Sequence, residues 1–429
     1  MTLTGRAALV ALIGTLAAVA FGSITALLVT DGLIALAIAA DAMLAGSARL
    51  LQVTRSGVPK ILLGEQGAVT VTVRNTGPRP LRGTIRDAWP PSAGAAPRRF
   101  QVTIPAAGQA VLTSTLRPER RGDRQAGAVT VRSVGPLGLA GRQRSHPAPW
   151  TVRVLPPFLS RRHLPEKLAR LRDLDGQHPV LIRGQGSEFD SLREYVAGDD
   201  VRSIDWRSSA RRTDVLVRTW RPERDRRIIL VLDTGRTSAG RVAGVPRLDS
   251  SMDAALLLAA LAARAGDRVD LVAVDRRVRA RVLGGHGAGL AALSDAMALL
   301  DAELTESDGA AMTAAVLGLA RQRCLVVLLT DLNPAAIDEG LLPYLTLLAS
   351  RHQLLVAAVT DPRLPELAAG RGNAEAVYAA AAAERALAGR ARVSAHLRRR
   401  GVRIVDQPPD RLPAALADAY LSLKAAGQL

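Results

Sequence analysis

From Ala7 to Leu44 the chain is almost continuously apolar, broken by Gly22, Ser23, Thr30, Asp31, Gly32 and Asp41. A helix needs about 20 residues to cross a bilayer. The stretch therefore predicts two short crossings, residues 6–21 and 27–45, with a turn near 22–26. The alternative is a secretory signal peptide, although the apolar run is much longer than a signal core requires. From residue 55 to about 156 the pattern shifts to short alternating runs, AVTVTVRN, RGTIRDAW, RFQVTIP, AVLTSTL, AVTVRSV and PWTVRVLP, separated by turn residues. Period-two alternation at this spacing predicts an antiparallel β-sandwich of the immunoglobulin-like kind. A polar, arginine-rich connector follows, with one helix expected over 165–174. Beyond it, near-continuous apolar strands are expected at 228–233, 269–275, 325–331, 354–360 and 402–405. They alternate with helices at 251–265, 289–304, 310–321, 335–351, 374–399 and 413–425. That alternation predicts a mainly parallel sheet covered on both faces, with 278–283 as an antiparallel edge. The expected division is a transmembrane hairpin at 1–48, a β-sandwich at 55–156, a connector at 157–227 and an α/β domain at 228–429.

Within the connector lies a denser segment, RGQGSEFDSLREYVAGDDVRSIDWRSSARRTDVLVRTWRPE. It interleaves Glu188, Arg193, Glu194, Asp199, Asp200, Arg202, Asp205, Arg207, Arg211, Arg212 and Arg218 with Phe189, Tyr195 and Trp206. A charge tail carries one sign; mixed charges with Leu192, Val196, Val201 and Ile204 spaced among them imply a folded element. Two readings follow, a solvated helix and turn laced with weak surface ion pairs, or a buried or interfacial polar network organised by the aromatics and bidentate arginines. The run Gly186, Glu188, Phe189, Leu192, Arg193, Glu194, Tyr195, Gly198, Asp199, Asp200, Arg202, Ile204, Asp205, Trp206, Ser209, Ala210, Arg211, Leu216, Val217, Arg218 and Glu223 resembles the hallmark of the domain of unknown function 58 family. That family is found beside MoxR-type AAA+ ATPases. The resemblance implies a C-terminal von Willebrand factor A-like domain, a MoxR-type ATPase as partner, and partner or interdomain contact through Glu188, Arg193, Tyr195, Asp199, Asp200, Arg202, Asp205, Trp206 and Arg211.

In open sheets ligands gather at the carboxyl ends of the strands, and two expected strands end in aspartate, Asp233 and Asp331. The resemblance makes this the place of a metal-ion-dependent adhesion site, whose first loop reads D-x-S-x-S. Here the loop is Asp233-Thr234-Gly235-Arg236-Thr237, so Gly235 replaces one hydroxyl and Thr237 can supply the other. The separate threonine that the resemblance implies upstream of the later strand is not evident, since ESDGAAMT offers Asp308 and Thr313 at displaced positions. Asp233, Thr237 and Asp331 thus form a degenerate site, able at most to hold magnesium loosely.

Charge and composition narrow the remaining chemistry. The net charge of +18 is nearly all arginine, since only Lys60, Lys167 and Lys424 are lysines. Such a balance suits nucleic acid or an anionic membrane face, but 3% aromatic residues argue against a single-strand stacking surface, and no nucleic-acid partner is expected. The one cysteine, Cys324, sits in an apolar strand and reads as an inert core thiol. No lysine follows a glycine, which excludes a Walker A loop, and neither HExxH nor GxSxG occurs. The GGHGAG stretch with His286 reads as a strand-to-helix turn, and the basic run 390–403 as a solvated helix end. Arg6 before the hairpin and Arg49 and Arg55 after it place both ends in the cytoplasm by the positive-inside rule. The expectation is a non-enzymatic adaptor of the inner or plasma membrane, working with the ATPase in assembly or maturation of other complexes. A metal-dependent hydrolase or nuclease using the strand-end carboxylates, and an outward-facing envelope adhesion module, are the alternatives.

Overall fold

The computed structural model describes residues 2–20, 22–177, 188–196, 199, 201–211, 214–221, 226–284 and 289–429. It divides into two units, Met1–Pro157 and Phe158–Leu429. In the first, a two-residue strand β1 (Thr2–Leu3) precedes helices α1 (Gly5–Ala20) and α2 (Ile24–Leu44). The chain reverses between them because Gly22 takes a φ of 63°, which side chains with a Cβ rarely adopt. Ser23 then caps α2 by accepting the Ala26 amide. By length and composition α2, with 21 residues, is able to cross a membrane; α1, with 16, is a shorter apolar helix. Their side chains stay largely exposed, among them Leu16, Leu28, Leu33 and Leu36.

Ten strands follow: β2 (Leu51–Gly57), β3 (Lys60–Leu62), β4 (Gly67–Asn75), β5 (Leu81–Asp87), β6 (Arg99–Ile104), β7 (Gln109–Leu116), β8 (Gly122–Gln125), β9 (Val129–Val134), β10 (Ala140–His146) and β11 (Thr151–Leu155). They form sheets of order β1-β10-β9-β5-β6, β2-β4-β7 and β3-β11-β8, antiparallel except for the β3–β11 pair. Alternation decides which side is buried: Val69, Val71 and Val73 of β4 point inward while the residues between them do not. Val71, Val73 and Leu112 pack against Leu81, Ile85, Ile104, Val129 and Val131 from the five-stranded sheet. The sandwich core is therefore shared by two facing sheets.

Two charged residues read from sequence take other places here. Arg55, expected as a basic flank of the hairpin, is buried in the sandwich. Its guanidinium donates to Asp87 Oδ1 at 2.5 Å and to the carbonyls of Ala148 and Gly127, and lies 5.5 Å from the Trp89 ring. Trp89 Nε1 donates to the same carboxylate at 2.8 Å. Asp41, which reads in the sequence only as an interruption of an apolar run, is fully buried near the end of α2. It accepts the amides of Leu137, Leu139 and Ala140 at 2.7, 2.7 and 2.8 Å. The β9–β10 turn is thereby fastened to the helix, and Arg142 and Arg79 add bonds to the Ala42 and Met43 carbonyls at 3.0 and 2.8 Å.

The second unit begins with α3 (Leu164–Gln177) and the pair β12 (Glu188–Glu194) and β13 (Leu216–Arg221), with the single-turn α4 (Trp206–Ser209) between them. Then come β14 (Arg227–Asp233), α5 (Arg236–Ala239), the short β15 (Arg241–Val242) and β16 (Val245–Pro246), α6 (Arg247–Arg264), β17 (Arg268–Val274), β18 (Val278–Val282), α7 (Gly289–Ala298), α8 (Gly309–Leu319), β19 (Leu325–Leu329), α9 (Leu342–Arg351), β20 (Gln353–Val359), α10 (Arg363–Ala368), α11 (Ala374–Arg399), β21 (Arg403–Gln407) and α12 (Leu412–Ala425). The six-stranded sheet runs β18-β17-β14-β19-β20-β21, parallel except for the antiparallel edge β18. Alternate residues of β14 feed opposite layers: Ile228, Leu230 and Leu232 pack with α6 and α12, Ile229 and Val231 with α8, α9 and α11. Burial on both faces explains why these strands read as continuous apolar runs. The helix expected over 289–304 stops at Ala298. Beyond it the backbone pairs with the loop after β14, Glu303 N donating to Thr234 O at 2.8 Å and Arg236 N to Thr305 O at 2.7 Å.

Candidate functional site

The hallmark segment forms a β-hairpin with one helical turn between its strands, where the first of the two readings has a helix and turn. β12 and β13 pair antiparallel with a register shift between Phe189 and Ser191, and Leu216 and Val217 are buried. Arg193 donates to Asp199 Oδ1 at 2.6 Å, and the other oxygen of Asp199 accepts the Val196 amide at 3.0 Å. Asp205 starts α4 by accepting the Ser208 amide at 2.9 Å, and Arg218 Nε donates to its second oxygen at 2.8 Å. That amide and then Arg218 hold the Asp205 carboxyl below the usual range. Ser209 closes the loop, its hydroxyl donating to Asp205 O while accepting the Leu216 amide, both at 2.8 Å. These charges position backbone. Four of the apolar residues between them face outward instead: Trp206 is 65% exposed, Val201 59%, Val196 55% and Tyr195 38%. Arg202 and Arg211 belong to the same segment, and Arg211 is exposed. Glu188 opens β12, opposite Arg221 in the β12–β13 ladder. Asp200, Gly186, Gly198 and Glu223 lie outside the described residues, as does His286.

A second constellation forms over the carboxyl ends of the parallel strands. Asp233 ends β14, 1% exposed, and four donors surround its carboxylate. The Gly235 amide at 2.8 Å and Ser307 Oγ at 2.5 Å reach Oδ1; Thr330 Oγ1 at 2.5 Å and Thr237 Oγ1 at 3.4 Å reach Oδ2. Burial pushes the Asp233 carboxyl up, and these bonds oppose the shift. Thr237 thus lies within hydrogen-bond reach of Asp233. From the segment where a threonine is sought it is Ser307 that reaches Asp233; Asp308 caps α8 instead, and the buried hydroxyl of Thr313 has no partner among the described residues. The space explains Gly235: a Cβ there would overlap Ser307 Oγ. Sequence reasoning missed Ser307 and Thr330 because a hydroxyl's orientation toward a remote carboxylate has no sequence pattern.

Asp331 follows β19 but turns to different partners. Arg390 of α11 donates to Oδ1 at 2.5 Å, and Arg247 at the start of α6 lies 3.3 Å from Oδ2. Arg390 also reaches Asp406 of β21, with Nη2 to Oδ1 at 2.7 Å, and is itself buried. It is not part of a solvated helix end, as the basic run suggests from sequence. The residues do not fit a divalent ion. Asp233 has about four lone-pair sites, matched by four donors, and both oxygens of Asp331 face guanidinium groups, which would repel a cation.

The family described as "Protein of unknown function DUF58" matches this chain over residues 191–400. An uncharacterized protein of Mycobacterium bovis and one of Mycobacterium tuberculosis are each 32% identical to it over 199 residues, covering 45% of this chain and 61% of theirs. The chain thus spans less than two thirds of the length of these relatives. Among solved structures, an aerotolerance-related membrane protein from Bacteroides fragilis is similar with TM-score 0.31 and 13% identity, over 47% of this chain and 99% of that one. The CARDB domain of a Pyrococcus furiosus protein has TM-score 0.19 and 19% identity, over 24% and 86%. Similarities this weak carry no functional argument.

Proposed function

We propose that this chain, a member of the DUF58 family through residues 191–400, is a membrane-anchored, non-enzymatic interaction protein that works with a MoxR-type AAA+ ATPase. The observation that carries the reading is the division of labour in the hallmark hairpin. Asp199 and Asp205 are bound by Arg193, Arg218 and backbone amides, so their charge serves to hold the loop, while Trp206, Val201 and Val196 are left exposed. Exposed aromatic and aliphatic side chains beside arginine match the composition of protein-contact cores. The strand-end carboxylates, the resource of the hydrolase alternative, are engaged by hydroxyls and guanidinium groups, which weakens that reading.

The anchor is α2, with α1 as a second, shorter crossing. Arg6 and Arg49 flank the pair, favouring cytoplasmic ends in the inner or plasma membrane. The von Willebrand factor A-like assignment of the C-terminal sheet belongs to the same reading, supported by the parallel strand order and the polar strand ends. Crosslinking of the full chain in its membrane, with capture and mass spectrometry, tests the proposal. Recovery of an AAA+ ATPase that falls at least several-fold with Trp206→Ala is expected; wild-type capture without any such ATPase would remove the partner.

A further inference from the structure

We infer that Arg247 and Arg390 are resident counter-cations of the strand-end site, taking the electrostatic place of a divalent metal and making this edge independent of metal. Asp331 is 6% exposed, so its charge needs a partner inside the fold. Two guanidinium groups approach it from different crossovers, Arg390 at 2.5 Å and Arg247 at 3.3 Å. Arg390 bridges onward to Asp406, whose Oδ1 also accepts the Thr360 hydroxyl. Arg247 Nη1 reaches the Thr237 carbonyl at 3.4 Å, beside the loop that carries Asp233. The arginines therefore link α6, β19, α11 and β21 across the same strand ends where a bound ion would otherwise join loops. Such a clasp is permanently charged and cannot be removed by chelation.

The two arrangements give opposite signs in one experiment. In a metal site without its ion, neighbouring carboxylates repel, so neutralising one stabilises the protein. In an arginine clasp, neutralising Asp331 leaves the buried Arg390 with Asp406 alone and takes the carboxylate from the half-buried Arg247, which destabilises the protein. The single cysteine, Cys324, is buried in the core of this unit and supplies a local probe: temperature-dependent labelling of the thiol in the full chain reports opening of the sheet. With EDTA present, Asp331→Asn is expected to lower the labelling midpoint by roughly 5–15 °C, and millimolar magnesium or manganese to leave the wild type unchanged. A midpoint raised or unchanged by Asp331→Asn, or a wild-type midpoint raised by either metal, would overturn the inference. Should Asp331→Asn not accumulate as folded protein, Arg247→Gln replaces it, with a lower midpoint under EDTA expected and a higher one counting against the clasp.

Discussion

At the scale of single residues, the instructive positions are those whose side chains have one permissible neighbour. Gly235 stands where the resembling loop carries a hydroxyl, and the structure gives the reason: Ser307 brings its hydroxyl into that space from another loop. Gly235→Ser should therefore lower stability by roughly 1–3 kcal/mol through overpacking, read as a shift in the urea midpoint; a neutral result would mean the two loops are not so close. His352 is a second such position. It is 3% exposed, its Nδ1 lies 3.5 Å from Cys324 Sγ, and its Nε2 has no partner among the described residues. Burial, then the charges of Arg351 and Arg323, push its pKa below the ordinary 6.5. Because the unfolded chain then binds the proton more readily, this contribution to stability is present above 6.5 and lost as pH falls through it toward the folded value. The Cys324 labelling midpoint should drop between about pH 7.5 and 5.5, and less so in His352→Gln. The probe is quiet in the folded state, since burial pushes the Cys324 thiol up to about 11.

At the scale of elements, the hairpin and the hallmark are each held by a carboxylate that reads backbone. Asp41 satisfies three amides of the β9–β10 turn, so Asp41→Ala would orphan three donors, each worth about 1–3 kcal/mol. Hydrogen exchange in detergent should show the Leu137, Leu139 and Ala140 amides losing protection together; unchanged protection would mean that the turn is held by its own strands. An ionisable residue in an apolar helix ordinarily suggests a relay or a ligand site, and here its partners assign it to fastening. Asp205 plays the corresponding part for α4, capping it while pairing with Arg218. Asp205→Ala should loosen the loop that presents Trp206, so partner capture should fall as it does with Trp206→Ala. Asp205→Asn keeps the cap but not the ion pair and should lie between them.

At the scale of the whole molecule, an apolar N-terminal helix, a sandwich and a parallel sheet follow one another in the order in which their hydrophobic periods occur along the chain. The membrane association this implies has a direct check: alkaline extraction should leave the full chain with the bilayer fraction, whereas release into the supernatant would remove the two-crossing reading. Period-two runs foretold the sandwich strands, and continuous apolar runs foretold the buried strands, because burial on one face or on two leaves a local imprint on the sequence. Helix α11, expected over 374–399, spans Ala374–Arg399, since a helical period is equally local.

The sequence by itself thus determined the element types on either side of the hallmark, the apolar hairpin, the hallmark's place in the chain and the carboxylates at strand ends, all written in neighbouring residues. Only the tertiary structure decided which charge meets which. Arg55 went to Asp87 inside the sandwich, Asp41 to a turn nearly a hundred residues away along the chain, and Ser307 and Thr330 to Asp233. Arg247 and Arg390, unremarkable among so many arginines, went to Asp331. Polar partnerships of this kind are set by distance and desolvation after the sheet has formed, and neither quantity has a period along the chain.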